Sequence, residues 1–239
     1  MSRVVLVTGS TSGIGAAVAH RFADAGDTVV FNSARSADVG QALARATPNA
    51  HYVQADISDP EDCTRLIAGV ISRCGRLDVL VNNAGTTRVI DHRDLAAADV
   101  TVWREIFEVN VFGTWNLSVA AMGALRDAKG AIVNVTSLAG VRPTGSSIPY
   151  AASKAALNHM TALLAKAVGP DVRVNAVAPG LIDTPWTADW DDARSAVTRR
   201  SPLGRSGRPE DVADVVVALA GSAYVTGQVV VVDGGLGLA

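Results

Sequence analysis

Short apolar runs rich in β-branched residues alternate along this chain with longer, Ala-rich segments in which apolar residues recur at helical spacing. The short runs are apolar nearly throughout, which is typical of strands covered by helices on both faces. The predicted strands span 3–7, 28–32, 51–54, 77–82, 131–136, 172–177 and 228–232, and the predicted helices span 14–25, 36–46, 60–73, 99–127, 150–168 and 209–220. This alternation predicts an α/β fold, a single-domain Rossmann-like doubly wound sheet of seven parallel strands with helices on both faces.

Turn-forming residues such as Gly26, Pro60, Gly75 and Gly130 fall at the boundaries of these elements, and no linker or internal repeat interrupts the pattern. We therefore interpret residues 1–239 as one domain. In such sheets, ligands bind beyond the carboxyl ends of the strands, where the strand order reverses. Functional residues are expected in the segments that directly follow the predicted strands.

A glycine-rich segment joins the first predicted strand to the first predicted helix. Glycines allow a tight turn and a close approach of the backbone to a pyrophosphate, and a helix N-terminus supplies N–H donors and a favourable dipole. The segment predicts a dinucleotide phosphate site, and a turn that serves only helix packing is the alternative. It comprises Gly9, Ser10, Thr11, Ser12, Gly13, Ile14 and Gly15.

A Tyr-x-x-x-Lys spacing places Tyr150 and Lys154 one turn apart on the same face of a predicted helix. A neighbouring ammonium favours the phenolate, so the spacing predicts a lowered Tyr150 pKa and general acid–base catalysis. The alternative is a packed Tyr150 and a solvated Lys154. Ser137 ends the fifth predicted strand, where its hydroxyl can hydrogen-bond a substrate oxygen, whereas strand alternation turns Thr136 to the opposite face.

Together these segments resemble the short-chain dehydrogenase/reductase family over essentially the whole chain. The family resemblance is carried by TGxxxGxG at 8–15, NNAG at 82–85, the Tyr-Lys motif at 150–154, PGxxxT at 179–184 and VDGG at 232–235. Within the family the chain most resembles the 3-oxoacyl-[acyl-carrier-protein] reductase branch, chiefly through NSARS at 32–36 and PLGR at 202–205. The resemblance implies an oxidoreductase that transfers a hydride between NAD(P)(H) and a small-molecule carbonyl or secondary alcohol, including a 3-oxoacyl thioester.

The resemblance also implies roles for individual residues. Tyr150 would transfer the proton, Ser137 would hydrogen-bond the substrate oxygen, and Lys154 would lower the Tyr150 pKa and hold the nicotinamide ribose. Asn110 would distort the long predicted helix and support a water chain to Lys154. A structural role as a turn or helix cap stays open for Asp56. The implied cofactor contacts beyond the glycine-rich segment are Asp56, Ile57, Asn83, Ala84, Gly85, Tyr150, Lys154, Pro179, Gly180, Ile182 and Thr184.

NADP(H) is the expected cofactor, with NAD(H) as the alternative. Relatives specific for NAD carry an acidic residue at the end of the second strand, which would repel a 2′-phosphate. Ser33 occupies this position, and Arg35 follows two residues later, within reach of such a phosphate. Ser12 and Ala34 stand where many NADP-dependent relatives carry basic residues, so the sequence indicates a preference rather than strict selection.

The composition restricts the partners. A net charge of -2 opposes sequence-independent binding of nucleic acid. Cys63 and Cys74 are expected to be free thiols of a cytoplasmic protein without a leader. No apolar stretch approaches the roughly 20 residues that span a bilayer, so no membrane role is expected. The histidines are too scattered to predict a metal site.

Residues 183–207 form the expected substrate loop, in which Trp186 and Trp190 either cover the pocket or pack a short helix. The family resemblance implies a homotetramer. An NAD-dependent alcohol or polyol dehydrogenase is the alternative enzyme. A nucleotide sensor without catalysis is the alternative of another class, and the retention of Tyr150 and Lys154 opposes it.

Overall fold

The computed structural model describes residues 2–238, and its seven strands form one parallel sheet. The strands are β1 Val4–Val7, β2 Thr28–Ser33, β3 Ala50–Gln54, β4 Val79–Asn82, β5 Ala131–Val135, β6 Arg173–Pro179 and β7 Val229–Val232. Their order in the sheet is β3-β2-β1-β4-β5-β6-β7, which confirms the predicted doubly wound α/β fold. The order reverses between β1 and β4, so a crevice opens beyond their carboxyl ends.

Helices connect the strands and cover both faces of the sheet. They are α1 Gly13–Asp24, α2 Ala37–Ala46, α3 Pro60–Cys74, α4 Val100–Phe107, α5 Thr114–Ala128, α6 Ile148–Val168, α7 Asp191–Arg200 and α8 Pro209–Gly221. Local sequence fixes several of their ends. The Asp59 carboxylate accepts a hydrogen bond from the Glu61 backbone N–H at the start of α3, and left-handed Gly75 ends that helix.

Two apolar clusters fill the space between the sheet and its helices. Alternate residues of β1 separate them, because Val5 and Val7 face one cluster and Leu6 faces the other. The first cluster packs against α1 and α8, and the second packs against α3, α5 and α6. Each fully buried Val or Leu contributes about 1.5–3 kcal/mol, so the two clusters give the strand ends a rigid base.

Two predicted elements differ from the structure. The predicted helix at 99–127 is divided, since a π-helical segment at Glu108–Gly113 separates α4 from α5. Helix α7 lies inside the expected substrate loop and was not among the predicted helices. Its sequence is strongly polar, and Val197 is its one buried residue, so no apolar stripe identified it.

Cys63 and Cys74 are both free thiols, as predicted. Burial of the Cys63 thiol, together with neighbouring carboxylates, raises its pKa to about 11. None of the helices in residues 2–238 has the length and apolar character needed to cross a bilayer.

Candidate active site

The turn between β1 and α1 has a backbone that only glycine adopts readily. Gly9 and Gly13 lie in the left-handed region, with φ of 59° and 53°. A Cβ on Gly15 would lie 2.4 Å from the Gly9 carbonyl oxygen and 2.4 Å from the Asn83 side-chain nitrogen. These contacts leave no room for a side chain, so the turn stays narrow and its backbone stays open to the crevice.

The first turn of α1 is suited to an anion. Ser12 precedes the helix but makes no side-chain capping hydrogen bond, and no acidic residue lies in the first turn. Backbone N–H groups at a helix N-terminus favour a phosphate through hydrogen bonds and through the helix dipole. The residues of this turn therefore fit the pyrophosphate of a dinucleotide.

The segment after β4 is fixed to this turn by hydrogen bonds. The Asn83 side chain donates to the carbonyl oxygens of Thr8 (2.8 Å) and Gly9 (3.0 Å). The Thr8 hydroxyl oxygen accepts from the backbone N–H groups of Asn83 and Ala84, each at 3.0 Å. Asn82 points into the protein, where its side chain donates to Asn134 at 2.9 Å. Asn82 is therefore structural, and Asn83 holds two walls of the crevice together.

A cavity of about 1150 Å³ lies over the carboxyl ends of the strands. It runs from the glycine-rich turn past the segment after β4 to Ser137, and it is large enough for a dinucleotide together with a substrate. Most of the predicted cofactor residues line it: Gly9, Thr11, Ser12, Gly13, Ile14, Gly15, Asn83, Ala84, Gly85, Tyr150, Lys154, Pro179, Gly180, Ile182 and Thr184.

Ser10, Asn110, Asp56 and Ile57 are not among the lining residues. Ser10 is fully buried, and its hydroxyl oxygen accepts from the backbone N–H of Asn32 at 2.9 Å, so its side chain secures the turn. One oxygen of the Asp56 carboxylate accepts from the backbone and the hydroxyl of Ser58, at 3.0 and 2.7 Å. This oxygen of Asp56 thus stabilises a turn, which is the structural role left open for Asp56 by the sequence.

Ser33 and Arg35 also lie outside the lining of the cavity. Ser33 ends β2, is buried, and shares a hydrogen bond of 2.9 Å with the Tyr52 hydroxyl. Arg35 is exposed and makes no ion pair or side-chain hydrogen bond with any other residue of 2–238. Its guanidinium is therefore available to an anion at this edge of the sheet.

Ser137 and Tyr150 meet at the cavity wall. Ser137 lies just beyond β5, and its hydroxyl oxygen accepts from the Ala139 backbone N–H at 3.1 Å. The same hydroxyl lowers the pKa of the Tyr150 side chain. The neighbouring Thr136 hydroxyl instead donates to the Val177 carbonyl oxygen at 3.0 Å, so it is committed to the sheet. Both residues line the cavity, and Ser137 is the one whose hydroxyl is not bonded to the sheet.

Burial determines the pKa values of Tyr150 and Lys154. Burial raises the Tyr150 pKa, and the Ser137 hydroxyl lowers it in part. The predicted direction was wrong: the Lys154 ammonium lies 5.7 Å from the centre of the Tyr150 ring, and the loss of hydration outweighs its influence. Burial also lowers the Lys154 pKa to about 8. Lys154 donates to the Val135 carbonyl oxygen at 3.0 Å.

Asn110 lies inside the π-helical segment, so the predicted distortion of this helix is present. Its side-chain oxygen accepts from the Thr86 backbone N–H at 2.8 Å, and its nitrogen donates to the Thr86 carbonyl and to Ser153, each at 3.0 Å. A Cβ on Gly85 would lie 3.2 Å from the Asn110 oxygen and 3.5 Å from the Lys154 nitrogen. Asn110 therefore joins the loop after β4 to the helix that carries Lys154.

The expected substrate loop folds over the cavity. Ile182 forms an isolated β-bridge with Gly207, which closes the base of the loop. The Thr187 hydroxyl donates to the Ile182 carbonyl oxygen at 2.7 Å. Trp186 lines the cavity, and its ring meets the Tyr150 ring edge-on with 6.5 Å between centroids. The structure supports the covering role for Trp186, while Trp190 both lines the cavity and precedes α7.

Several lining residues were not predicted. They occur in the loops after β4 and β5 and at the C-terminus, and they include Val89, Ile90, Leu138, Pro143 and Leu236. The position of both loops directly after strands was an available signal. Leu236 had none. It is placed by Asp233, whose carboxylate accepts from the backbone N–H groups of Gly235 and Gly237 at 2.8 and 2.6 Å. Asp233 is therefore structural.

The sheet order, the open glycine-rich turn, and a serine, tyrosine and lysine on one cavity wall define a dinucleotide-binding oxidoreductase. A family model described as "Enoyl-(Acyl carrier protein) reductase" matches residues 9–237. The "Granaticin polyketide synthase putative ketoacyl reductase 2" of Streptomyces violaceoruber is 56% identical over 236 residues, 97% of this chain and 95% of that protein. A 3-oxoacyl-[acyl-carrier-protein] reductase of Thermotoga maritima is 38% identical over 242 residues, 98% and 97% of the two chains.

A solved structure described as "a putative short-chain dehydrogenase/reductase from Burkholderia xenovorans" superposes with a TM-score of 0.93 at 38% identity, over 100% of this chain and 99% of that chain. The chain belongs to the short-chain dehydrogenase/reductase family, in its branch similar to 3-oxoacyl-[acyl-carrier-protein] reductases. It is an NAD(P)-dependent oxidoreductase that acts on a small molecule.

Proposed function

We propose that this protein reduces a ketone with NADPH and that Tyr150 donates the proton to the carbonyl oxygen. The observation that carries the proposal is that Ser137, Tyr150 and the buried Lys154 line the same cavity. The test is a screen of ketones and secondary alcohols with both cofactors, in which turnover is measured by the absorbance of the reduced nicotinamide. Absence of turnover with every ketone would contradict the proposal.

The bound nicotinamide would supply the hydride for the carbonyl carbon. The chain's own residues handle the oxygen and its proton. Burial raises the Tyr150 pKa, so the phenol stays protonated at neutral pH and serves as the acid. Ser137 donates to the same substrate oxygen and shares the negative charge that develops there. Lys154 holds the nicotinamide ribose and, with Asn110, takes part in returning a proton to Tyr150.

The Lys154 pKa of about 8 predicts a pH dependence of cofactor capture. The ammonium form prevails below this pH and the amine above it, so kcat/KM for NADPH is expected to fall above about pH 8. This parameter reports ionisations of the free enzyme. In Lys154→Arg the guanidinium stays charged, so the decline should move to higher pH. An unchanged decline in this variant would assign it to another group.

Cofactor preference is proposed to depend on Arg35. Its exposed, unpaired guanidinium lies just beyond β2, where an adenosine 2′-phosphate would approach, and Ser33 places no carboxylate there. One partly exposed Arg–phosphate contact is worth about 1–2 kcal/mol, which is roughly a ten- to thirtyfold preference for NADPH over NADH.

Arg35→Ala is therefore expected to weaken NADPH binding about ten- to thirtyfold and to leave NADH binding unchanged. Dissociation constants for both cofactors, measured by fluorescence or calorimetry, give the ratio directly. Arg45→Ala removes another exposed arginine from the end of α2 and should leave the ratio as in wild type. Equal affinities in wild type, or an unchanged ratio in Arg35→Ala, would refute the assignment.

A homotetramer is proposed from exposed apolar surfaces on the long helices and at the sheet edge. Phe112, Trp115 and Val119 share one face around the start of α5 and are 50%, 45% and 53% exposed. On α6, Leu163 is 56% exposed, and on the edge strand β7 Val231 is 40% exposed. An apolar face of this kind is typical of a contact between subunits.

Light scattering at micromolar concentration is expected to give four times the 24.6 kDa mass of one chain. Trp115→Glu places a charge in the proposed contact and should lower the mass. Val39→Glu, at a similarly exposed position on α2, should leave it unchanged. A stable wild-type monomer would rule out the assembly.

A 3-oxoacyl thioester is a second candidate substrate. The observation that favours it is the similarity to relatives named as ketoacyl and 3-oxoacyl reductases. Acetoacetyl-N-acetylcysteamine would test it, since this compound presents the 3-oxo thioester without a carrier. Turnover comparable to that of the best simple ketone would support the thioester.

A further inference from the structure

The part of the cavity beyond Ser137 and Tyr150 has largely apolar walls. Val89 and Ile90 come from the loop after β4, Leu138 and Pro143 from the loop after β5, and Leu236 from the C-terminus. Val197 of α7 also lines the cavity. A substrate that fills this space would bury apolar surface on several sides, which favours a broad apolar body over a thin, strongly polar one.

Trp186 gives this part of the cavity a flat aromatic surface. Its side chain is 49% exposed, although a tryptophan this large is usually buried. Its ring stands edge-on to the Tyr150 ring, with an angle of 70° between the two planes. A ring system held against Trp186 would therefore lie close to the Tyr150 side chain. Aromatic surfaces favour flat partners through stacked and edge-on contacts.

The rim of the cavity is acidic. Asp91, Asp189, Asp191 and Asp192 line it, whereas Lys154 is the one Lys or Arg among the lining residues. Arg194 pairs with Asp191 at 2.6 Å. The other three carboxylates make no ion pair with any residue of 2–238. Like charge in a partly enclosed site disfavours an anion, and this effect is strongest at low ionic strength.

From the apolar walls, the exposed Trp186 and the acidic rim, we infer that the substrate is an uncharged ketone carried on an apolar ring system. Carboxylated and phosphorylated ketones, including carrier-bound ones, are disfavoured. The inference rests on the proposed ketone reduction and names the substrate class of the same site. It also distinguishes this enzyme from one that receives its ketone on an anionic carrier.

The experiment compares matched ketones with NADPH at low ionic strength. We expect kcat/KM for bicyclic 2-tetralone to exceed that for pentan-2-one at least tenfold. The kcat/KM for acetophenone should exceed that for 4-acetylbenzoate by a similar factor. The methyl ester of 4-acetylbenzoate keeps the size and removes the charge, so its kcat/KM should recover most of the loss. The kcat/KM for acetoacetyl-N-acetylcysteamine should likewise exceed that for the anionic acetoacetyl-coenzyme A. Equal values across the neutral and anionic pairs would overturn the inference.

Variants connect these differences to the named residues. Trp186→Ala should lower kcat/KM for 2-tetralone about tenfold with little change for pentan-2-one. Trp186→Phe keeps an aromatic ring and should retain most of the wild-type kcat/KM for 2-tetralone. Tyr224→Ala removes a fully exposed ring outside the cavity and should change neither value. The double variant Asp189→Asn, Asp192→Asn should raise kcat/KM for 4-acetylbenzoate alone, while Asp127→Asn on α5 should not.

Binding separates failure of this inference from failure of the proposed function. Calorimetry on the wild-type protein with NADP⁺ should show tighter binding of 2-acetonaphthone than of 2-naphthoate, and the double variant Asp189→Asn, Asp192→Asn should remove the difference in part. This pattern without turnover of any ketone would contradict the proposed reduction and support the assigned pocket. Ketone turnover with equal binding of the two compounds would support the reduction and overturn the substrate class.

Discussion

Tyr150→Phe is expected to lower kcat for ketone reduction about 10³- to 10⁴-fold, the upper range for loss of a positioned general acid. The phenyl ring keeps the volume of the side chain and its edge-on contact with Trp186. Only the hydroxyl of the side chain is removed. The dissociation constant of NADPH should therefore stay close to wild type, so the loss should appear in turnover rather than in cofactor binding.

Single-turnover kinetics and a separate cofactor titration distinguish these two parameters. Tyr224→Phe provides the matched control, because it removes the same hydroxyl from a tyrosine that is fully exposed and outside the cavity. Its kcat should equal that of wild type. A Tyr150→Phe enzyme that retains a tenth or more of wild-type turnover would mean that the proton comes from another group.

Ser137→Ala is expected to lower kcat about 10²- to 10³-fold, as is typical when one donor to a developing oxyanion is lost. The variant removes the hydroxyl that contacts Tyr150, and it also removes the acceptor for the Ala139 backbone N–H at 3.1 Å. The second effect concerns local stability. Thermal unfolding measured beside the kinetics separates it from the loss of rate.

Thr136→Ala is the internal comparison for Ser137→Ala. The Thr136 hydroxyl donates to the Val177 carbonyl oxygen inside the sheet, so its loss should reduce stability while kcat changes far less. A similar fall in kcat for the two variants would show that Ser137 has no special position toward the substrate oxygen. A kcat in Ser137→Ala close to wild type would remove its donor role.

The sequence alone was sufficient to predict the alternation of strands and helices and the parallel sheet. The reason is physical, since strands such as β1 and β4 are buried on both faces and must be apolar throughout. It was also sufficient for the glycine-rich turn, because only glycine fits where Gly9 takes a φ of 59°. These features depend on neighbours in the chain, and their residue types record the constraint directly.

Other features depend on contacts between distant segments, and only the tertiary structure determined them. The spacing of Tyr150 and Lys154 predicted a lowered Tyr150 pKa, but burial by the surrounding loops raises it instead. Leu236 reaches the cavity wall only because the C-terminal segment folds back, where the Gly237 carbonyl accepts from Arg142 at 3.1 Å. Desolvation and the shape of a pocket are sums over all surrounding atoms, and no local pattern of residues encodes them.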